Sequence, residues 1–230
     1  FAQYRSDDRQ LVFLAARHEP RLGSPTHALV EAVIEGFKPD YVVVEGMATE
    51  AGPSPRGALR DARRRRKTGD CPEPLFAMVL AAEQKIPCIG GEPPAAATTA
   101  ALRRLGSDRD ALGFLLVRHL GQVRRGEALD AIEAKVKRSL PQLRRRFDLK
   151  VEMDLEDFKV WFLERSKTPW SADNLRGDVI APLAGEKASY LQRMGIAVML
   201  ARERHLLALQ ARLLRVHRRV LVIYGSGHLV

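Results

Sequence analysis

The feature that most constrains the fold of this chain is a strand–helix–strand pattern near its amino terminus. Residues 11–16 form a short apolar run rich in branched side chains, which predicts a buried strand. Ser24 is a suitable N-cap and Pro25 a suitable first helical residue, so we expect a helix from there to about Gly36. Residues 41–44 predict a second strand. Such a unit crosses over right-handed and gives parallel strands.

Two later apolar runs, residues 86–90 and 220–224, predict two more strands. Between them, residues 95–211 show helical periodicity, with predicted breaks near Gly106, Gly126, Pro141, Pro169 and Pro182. We therefore expect an α/β fold: a small, mainly parallel sheet with flanking helices and a large helical insertion that forms a cap. The whole of 1–230 is predicted to be a single domain, with a core of 11–93 and 187–230 and the insertion at about 95–186. Residues 49–74 are rich in Gly, Pro and Arg and predict an irregular loop with a short basic helix.

Composition limits the class of protein. Hydrophobic residues make up 46% of the chain, which suits one globular domain with an insertion. No apolar run approaches the roughly 20 residues that span a bilayer, and residues 1–10 are too polar for a signal peptide. We expect a cytoplasmic protein without a transmembrane segment; an exported form, whose leader precedes residue 1, is the alternative. Cys71 and Cys88 form no CxxC pair and predict free thiols.

The net charge of +10 raises the question of an anionic partner. The arginines stand in short bursts that alternate with apolar residues at helical spacing, which is typical of solvated helix faces. Aromatic residues for base stacking are not interleaved with them, which disfavours nucleic acid as a partner. The alternative is a nucleic-acid-binding or signalling module that uses the basic run at residues 63–67.

An ionisable residue directly follows or ends each of the four predicted strands. Arg17 and His18 follow the first, Glu45 the second, Glu92 the third, and His228 closes the turn after the fourth. Ligands of open α/β sheets bind outside the carboxyl ends of the strands. We therefore predict that the first and last strands bring His18 and His228 to one shared polar site.

Glycines stand beside two of these residues. The turn Gly225-Ser226-Gly227 exposes backbone amides to a ligand and presents His228, whereas Ser226 lacks the glycine spacing of a nucleophile elbow. Glu92 follows Gly90 and Gly91, which we expect to let the backbone approach a ligand closely.

Two arginines and a histidine of the last predicted helix complete the candidate site. Arg202 or Arg204 could balance a carboxylate and bind a developing oxyanion. Their neighbour His205 could also reach the site.

The segment Lys-Pro-Asp-Tyr-Val-Val-Val-Glu-Gly, the late arginine and the closing Gly-Ser-Gly-His resemble the TraB, GumN and Tiki superfamily, which includes ChaN-like and erythromycin-esterase-like proteins. In that family two GxxH motifs flank the domain and a glutamate ends the second strand. Gly225 to His228 is similar to the second motif. The first is imperfect, because Ala15 stands in the place of glycine before His18.

The resemblance does not imply one particular reaction, because proteins that share a fold can differ in function. Tiki-like members are described as metal-dependent proteases, erythromycin-esterase-like members hydrolyse esters, and ChaN-like members bind haem. The leading hypothesis is a hydrolase of a peptide or small molecule, in which His18, His228 and Glu45 hold a divalent metal such as manganese, cobalt or zinc. The alternative within this hypothesis needs no metal: the histidines polarise the carbonyl, and a His/Glu pair acts by general base catalysis.

In this hypothesis Glu45 activates water and Glu92 assists as a second carboxylate. Arg204 stabilises the oxyanion, and the residues that bind the substrate are Arg17, Gly225, Ser226, Gly227 and Arg202. The first rival hypothesis is a haem-binding protein of the ChaN type, favoured by the supply of arginines and disfavoured by the scarcity of aromatic and Met residues. A homo-oligomer is compatible with either.

Overall fold

A computed structural model describes residues 1–17, 19, 21–120, 127–175, 179–181 and 187–225 of the protein. Within these residues the fold is α/β, with a mixed sheet of five strands and eight α-helices. The strands are β1 (Ala2–Ser6), β2 (Arg9–Ala16), β3 (Tyr41–Ala48), β4 (Cys88–Glu92) and β5 (Arg219–Gly225). The helices are α1 (Pro25–Phe37), α2 (Arg56–Lys67), α3 (Glu73–Glu83), α4 (Ala95–Arg103), α5 (Asp108–Leu120), α6 (Leu129–Arg146), α7 (Leu155–Ser166) and α8 (Tyr190–Leu214).

The strand order is β1-β2-β5-β3-β4. β5 pairs in parallel with both β2 and β3, and β3 pairs in parallel with β4, whereas β1 is antiparallel to β2. The prediction that the first and last apolar strands are neighbours in the sheet is therefore confirmed, since residues 10–16 of β2 pair one by one with residues 219–225 of β5.

Both faces of the sheet are covered, because its central strands are apolar on both sides. One face packs against α1 and α3 through Val12, Leu14, Val42, Val44, Leu221 and Ile223. The other packs against the carboxyl-terminal part of α8 through Leu11, Phe13, Tyr41, Val43, Val220, Val222 and Tyr224. This continuous apolar character is typical of strands buried between two layers of helices.

The ends of α1 confirm the prediction from capping residues. The side chain of Ser24 accepts a hydrogen bond from the backbone N–H of His27, and Pro25 is the first helical residue. Lys38 ends the helix in the left-handed conformation, with φ of 50°. The following strand begins at Tyr41, where the sequence places it.

Several elements differ from the sequence-based expectation, among them β1 and α2. β1 carries no strand signal, because its residues are mostly polar and exposed; it pairs with β2 along the edge of the sheet, and Ala2 is its one residue packed against the core. The basic helix expected within residues 49–74 is α2, a full 12 residues long, preceded by a 3-10 turn at Thr49–Ala51.

The chain divides into two compact units, one of residues 1–94 and 203–230, the other of residues 95–202. The second unit has its own core around Leu112, Leu116, Phe158, Trp161 and Met194. The predicted break at Pro141 is wrong: α6 continues through it, because Val136 and Leu140 remain buried on its inner face. No described helix is long and apolar enough to cross a membrane.

Candidate functional site at the carboxyl ends of the strands

The carboxyl ends of β2, β5, β3 and β4 lie along one edge of the sheet. Ala16 and Gly225 are register partners, so β2 and β5 end side by side. Arg17 follows directly and is exposed. The predicted residues His18, Ser226, Gly227 and His228 lie outside the described part of the chain, so their place in the site stays a prediction.

Glu45 lies where β3 loses its regular pairing. The register with β4 runs to Val44 opposite Gly90 and resumes only at Ala48 opposite Glu92, so β3 carries extra residues between these points. The register between β3 and β5, which pairs Val44 with Ile223, brings the Glu45 carboxylate to the end of β5. Its Oε2 accepts a hydrogen bond of 2.5 Å from the backbone N–H of Gly225.

Glu92 is the last residue of β4, and its carboxylate faces back toward the strands. Its Oε1 accepts a hydrogen bond of 3.3 Å from the N–H of Gly46 and one of 3.2 Å from the hydroxyl of Tyr224. Tyr224 is buried, with 1% of its surface exposed. Two consecutive residues of β5, Tyr224 and Gly225, thus bind the two predicted carboxylates.

Gly90 and Gly91 do not have the role expected from the sequence. A Cβ atom on Gly90 would lie 2.0 Å from the backbone oxygen of Met47, and one on Gly91 would lie 2.6 Å from Cε2 of Tyr224. The glycines therefore make room for the protein's own β3 backbone and for the Tyr224 ring, and not for a ligand. Gly91 leaves room for the Tyr224 side chain, whose hydroxyl reaches Glu92.

Thr49 and His205 meet at the same edge of the sheet. Oγ1 of Thr49 lies 2.9 Å from the carbonyl oxygen of Gly90, 3.0 Å from that of Glu92, and 2.7 Å from Nε2 of His205. A hydroxyl carries one hydrogen and carbonyl oxygens only accept, so Thr49 donates to a carbonyl and Nε2–H of His205 donates to Thr49. We therefore assign the neutral Nε2–H tautomer to His205.

The surroundings of His205 favour its neutral form. Burial lowers its pKa below the ordinary value of 6.5, and the positive charge of Arg212 lowers it further, while Glu92 acts in the opposite direction. The imidazole is thus uncharged at neutral pH and offers Nδ1 as its acceptor nitrogen.

The two arginines predicted to complete the site differ in their surroundings. Arg204 is exposed, and Arg202 is half-buried and belongs to the second compact unit. Their roles toward an oxyanion or substrate stay predictions. His205, the neighbour of Arg204, contacts the carboxyl edge of the sheet through Thr49.

Sequence reasoning missed two residues of the candidate site, Thr49 and Tyr224. In the sequence, Tyr224 looks like a continuation of the apolar run of β5. The available signal was its phenol hydroxyl, which usually needs a polar partner in a buried strand. Thr49 carries no signal, because its contacts depend on the 3-10 turn after β3.

Both cysteines are free and Cys88 is buried, as predicted; Cys71 is buried too. Burial raises the pKa of the Cys88 thiol to about 12, so it does not supply a thiolate to the site. The candidate site is therefore one of carboxylates, an imidazole and hydroxyls. Comparisons with protein-family models, curated proteins and solved structures return no match to this chain.

Proposed function

We propose that this chain is a hydrolase of the TraB and Tiki type, which cleaves an ester or peptide bond at the carboxyl edge of its sheet. One observation carries the proposal: Tyr224 and Gly225 bind the carboxylates of Glu92 and Glu45, respectively. The strand that gathers both acids leads directly into Ser226, Gly227 and His228 in the sequence.

In the proposed reaction Glu45 is the general base. It takes a proton from water, and the water oxygen attacks the carbonyl carbon of the substrate; the proton then passes to the leaving oxygen or nitrogen as the bond to carbon breaks. General base catalysis of this kind contributes roughly 10²–10⁴-fold in rate. The 2.5 Å bond from Gly225 N–H orients the Glu45 carboxylate for this role.

Glu92 is the second carboxylate of the proposed site. Its Oε1 is held by the Gly46 amide and the Tyr224 hydroxyl, so its position is fixed before substrate binds. Arg204 is proposed to stabilise the oxyanion, and neutral His205 is a further proton acceptor near Glu92.

The resemblance also implies a divalent metal held by His18, His228 and Glu45. Among the described residues no group of three or more His, Cys, Asp or Glu side chains could hold an ion, and both histidines of the set lie outside that part of the chain. The donor chemistry fits, because two imidazoles and a carboxylate suit a catalytic divalent ion. When bound, the metal would polarise the carbonyl of the substrate.

The roles of the sheet and of the helical insertion are part of the same proposal. In it the sheet acts as the mainly parallel platform of this superfamily, and the helical insertion at about 95–186 acts as a cap that selects the substrate.

A panel of ester and peptide substrates tests the proposal, combined with metal analysis of the purified protein. The proposal expects hydrolysis by the wild-type chain and its loss in both His18→Ala and His228→Ala. His217→Ala is the matched control, because His217 lies outside the predicted set, just before β5. Unchanged hydrolysis and metal content in both histidine variants would refute the proposal.

A further inference from the structure

The outer face of α2 carries a row of four basic side chains. Arg56, Arg60, Arg63 and Lys67 are separated by four, three and four residues, so they stand one above another on the helix. All four are exposed. The row runs over all 12 residues of α2, and its first and last members are roughly 16 Å apart along the helix axis.

The other basic residues of this helix are neutralised by acids. Arg64 pairs with Asp61 at 2.5 Å, Arg65 with Asp70 at 3.0 Å, and Arg66 with Glu83 at 2.7 Å. The basic run of the sequence, residues 63–67, is therefore largely compensated.

The exposed row has no such compensation. Within the described part of the chain, no carboxylate oxygen lies within 4.0 Å of the charged nitrogens of the four residues in the row. The uncompensated charges therefore lie along one face of α2, and they do not coincide with the basic run at residues 63–67.

Helix stability does not explain the row. Like charges three or four residues apart on a helix repel each other, and Arg56 stands in the first turn, where the helix dipole disfavours a cation. Only Lys67, in the last turn, is favoured by the dipole.

Packing does not explain the row either. The inner side of α2 is apolar, with Ala62 fully buried and Ala58 and Leu59 packed against the core. The four cations therefore face solvent and add net repulsion to the folded protein.

We propose that the exposed row Arg56, Arg60, Arg63 and Lys67 binds the phosphate backbone of a nucleic acid. A linear series of cations complements a linear series of phosphates. The row contains no apolar side chain that could enter a lipid bilayer, so a membrane surface is a poorer match. The row has no aromatic residue for base stacking, so the binding is independent of sequence.

The test is fluorescence anisotropy of a labelled DNA duplex and a labelled single-stranded RNA with the full chain, between about 50 and 200 mM salt. The row variant R56Q/R60Q/R63Q/K67Q is compared with R104Q/K137Q/R138Q/K167Q, which removes the same charge from four exposed residues of the second compact unit. Glutamine preserves helix propensity, and circular dichroism verifies the fold of both variants.

The row variant is expected to bind at least about tenfold more weakly than wild type. The slope of log K against log salt should fall by about 0.9 for each duplex phosphate that the variant no longer neutralises. The control variant should retain most of the affinity. Equal losses of affinity in the two variants, absence of nucleic-acid binding by wild type, or binding only to phosphatidylserine vesicles would each overturn the proposal.

Discussion

Oγ1 of Thr49 and Nε2 of His205 lie 2.7 Å apart, although 156 positions separate the two residues in the chain. The contact joins the 3-10 turn after β3 to α8, and it favours a proton on Nε2 of the imidazole because Oγ1 of Thr49 also lies within hydrogen-bond distance of two carbonyl oxygens. It also links the histidine to the backbone of β4, because the same hydroxyl reaches the carbonyl oxygens of Gly90 and Glu92.

His205 is expected to be the Nε2–H tautomer at neutral pH and to titrate with a pKa below 6.5, because its ring is partly buried near Arg212. Two-bond ¹H–¹⁵N correlation spectra of ¹⁵N-histidine-labelled protein report both properties. Thr49→Val removes the acceptor and should shift His205 toward a mixture of tautomers, whereas Thr49→Ser should preserve the wild-type spectrum. A wild-type ring protonated mainly on Nδ1 would contradict the assignment.

Replacing Tyr224 by Phe removes the hydroxyl that donates to Glu92 Oε1. The free energy of unfolding should fall by about 1.5 kcal/mol, the lower end of the range for a hydrogen bond to a charged group, because this bond is only partly buried. Urea denaturation measures the change. Tyr4→Phe is the control, because the Tyr4 side chain is exposed, and it should change stability by less than about 0.5 kcal/mol.

Gly90→Ala and Gly36→Ala should change stability in opposite directions. A Cβ at residue 90 meets the backbone oxygen of Met47 at 2.0 Å, so we expect a loss of about 1–3 kcal/mol or more. A Cβ at residue 36 meets nothing within 4 Å in α1, and alanine there should gain about 0.5–1 kcal/mol. Thermal unfolding monitored by circular dichroism compares them, and similar effects of the two substitutions would refute the steric argument.

Asp110 is expected to make the second compact unit sensitive to acid. Burial raises the pKa of its carboxyl, but hydrogen bonds from Ser107 and Trp161 and the charge of Arg165 outweigh this and lower the pKa below 3.8. The unfolded state therefore binds the proton first as pH falls, so the stabilisation is complete well above pH 3.8 and is lost as pH drops below it.

The comparison of wild type with Asp110→Asn measures this effect. The difference in unfolding free energy between the two proteins should be constant near neutral pH and should shrink below about pH 3.8. A difference that stays constant down to pH 3 would show that the Asp110 charge contributes nothing to stability.

The sequence predicts those elements whose residues carry their own signal. The apolar runs of β2, β3 and β5 are buried on both faces, and Ser24 with Pro25 marks the start of α1, so these elements are recognisable from the sequence. β1 is polar and exposed and pairs through its backbone, which leaves no hydrophobic pattern to recognise.

The candidate site is predictable only in part. Glu45 and Glu92 are conspicuous because they are carboxylates at strand ends, and the structure brings them to adjacent residues of β5. The contacts of Thr49 and the packing of Gly91 under Tyr224 depend on the extra residues in β3 and on the docking of α8, which no local pattern encodes.

The central claim is that the end of β5 gathers Glu45 and Glu92 into a hydrolytic site, and the initial rate of ester or peptide hydrolysis tests it most directly. Glu45→Gln is compared with Glu50→Gln, which makes the same change at an exposed residue of the neighbouring 3-10 turn. We expect Glu45→Gln to lose roughly 10²-fold or more of the rate while Glu50→Gln keeps the wild-type rate. Equal rates in the two variants, or a wild-type rate no higher than that of buffer, would contradict the claim.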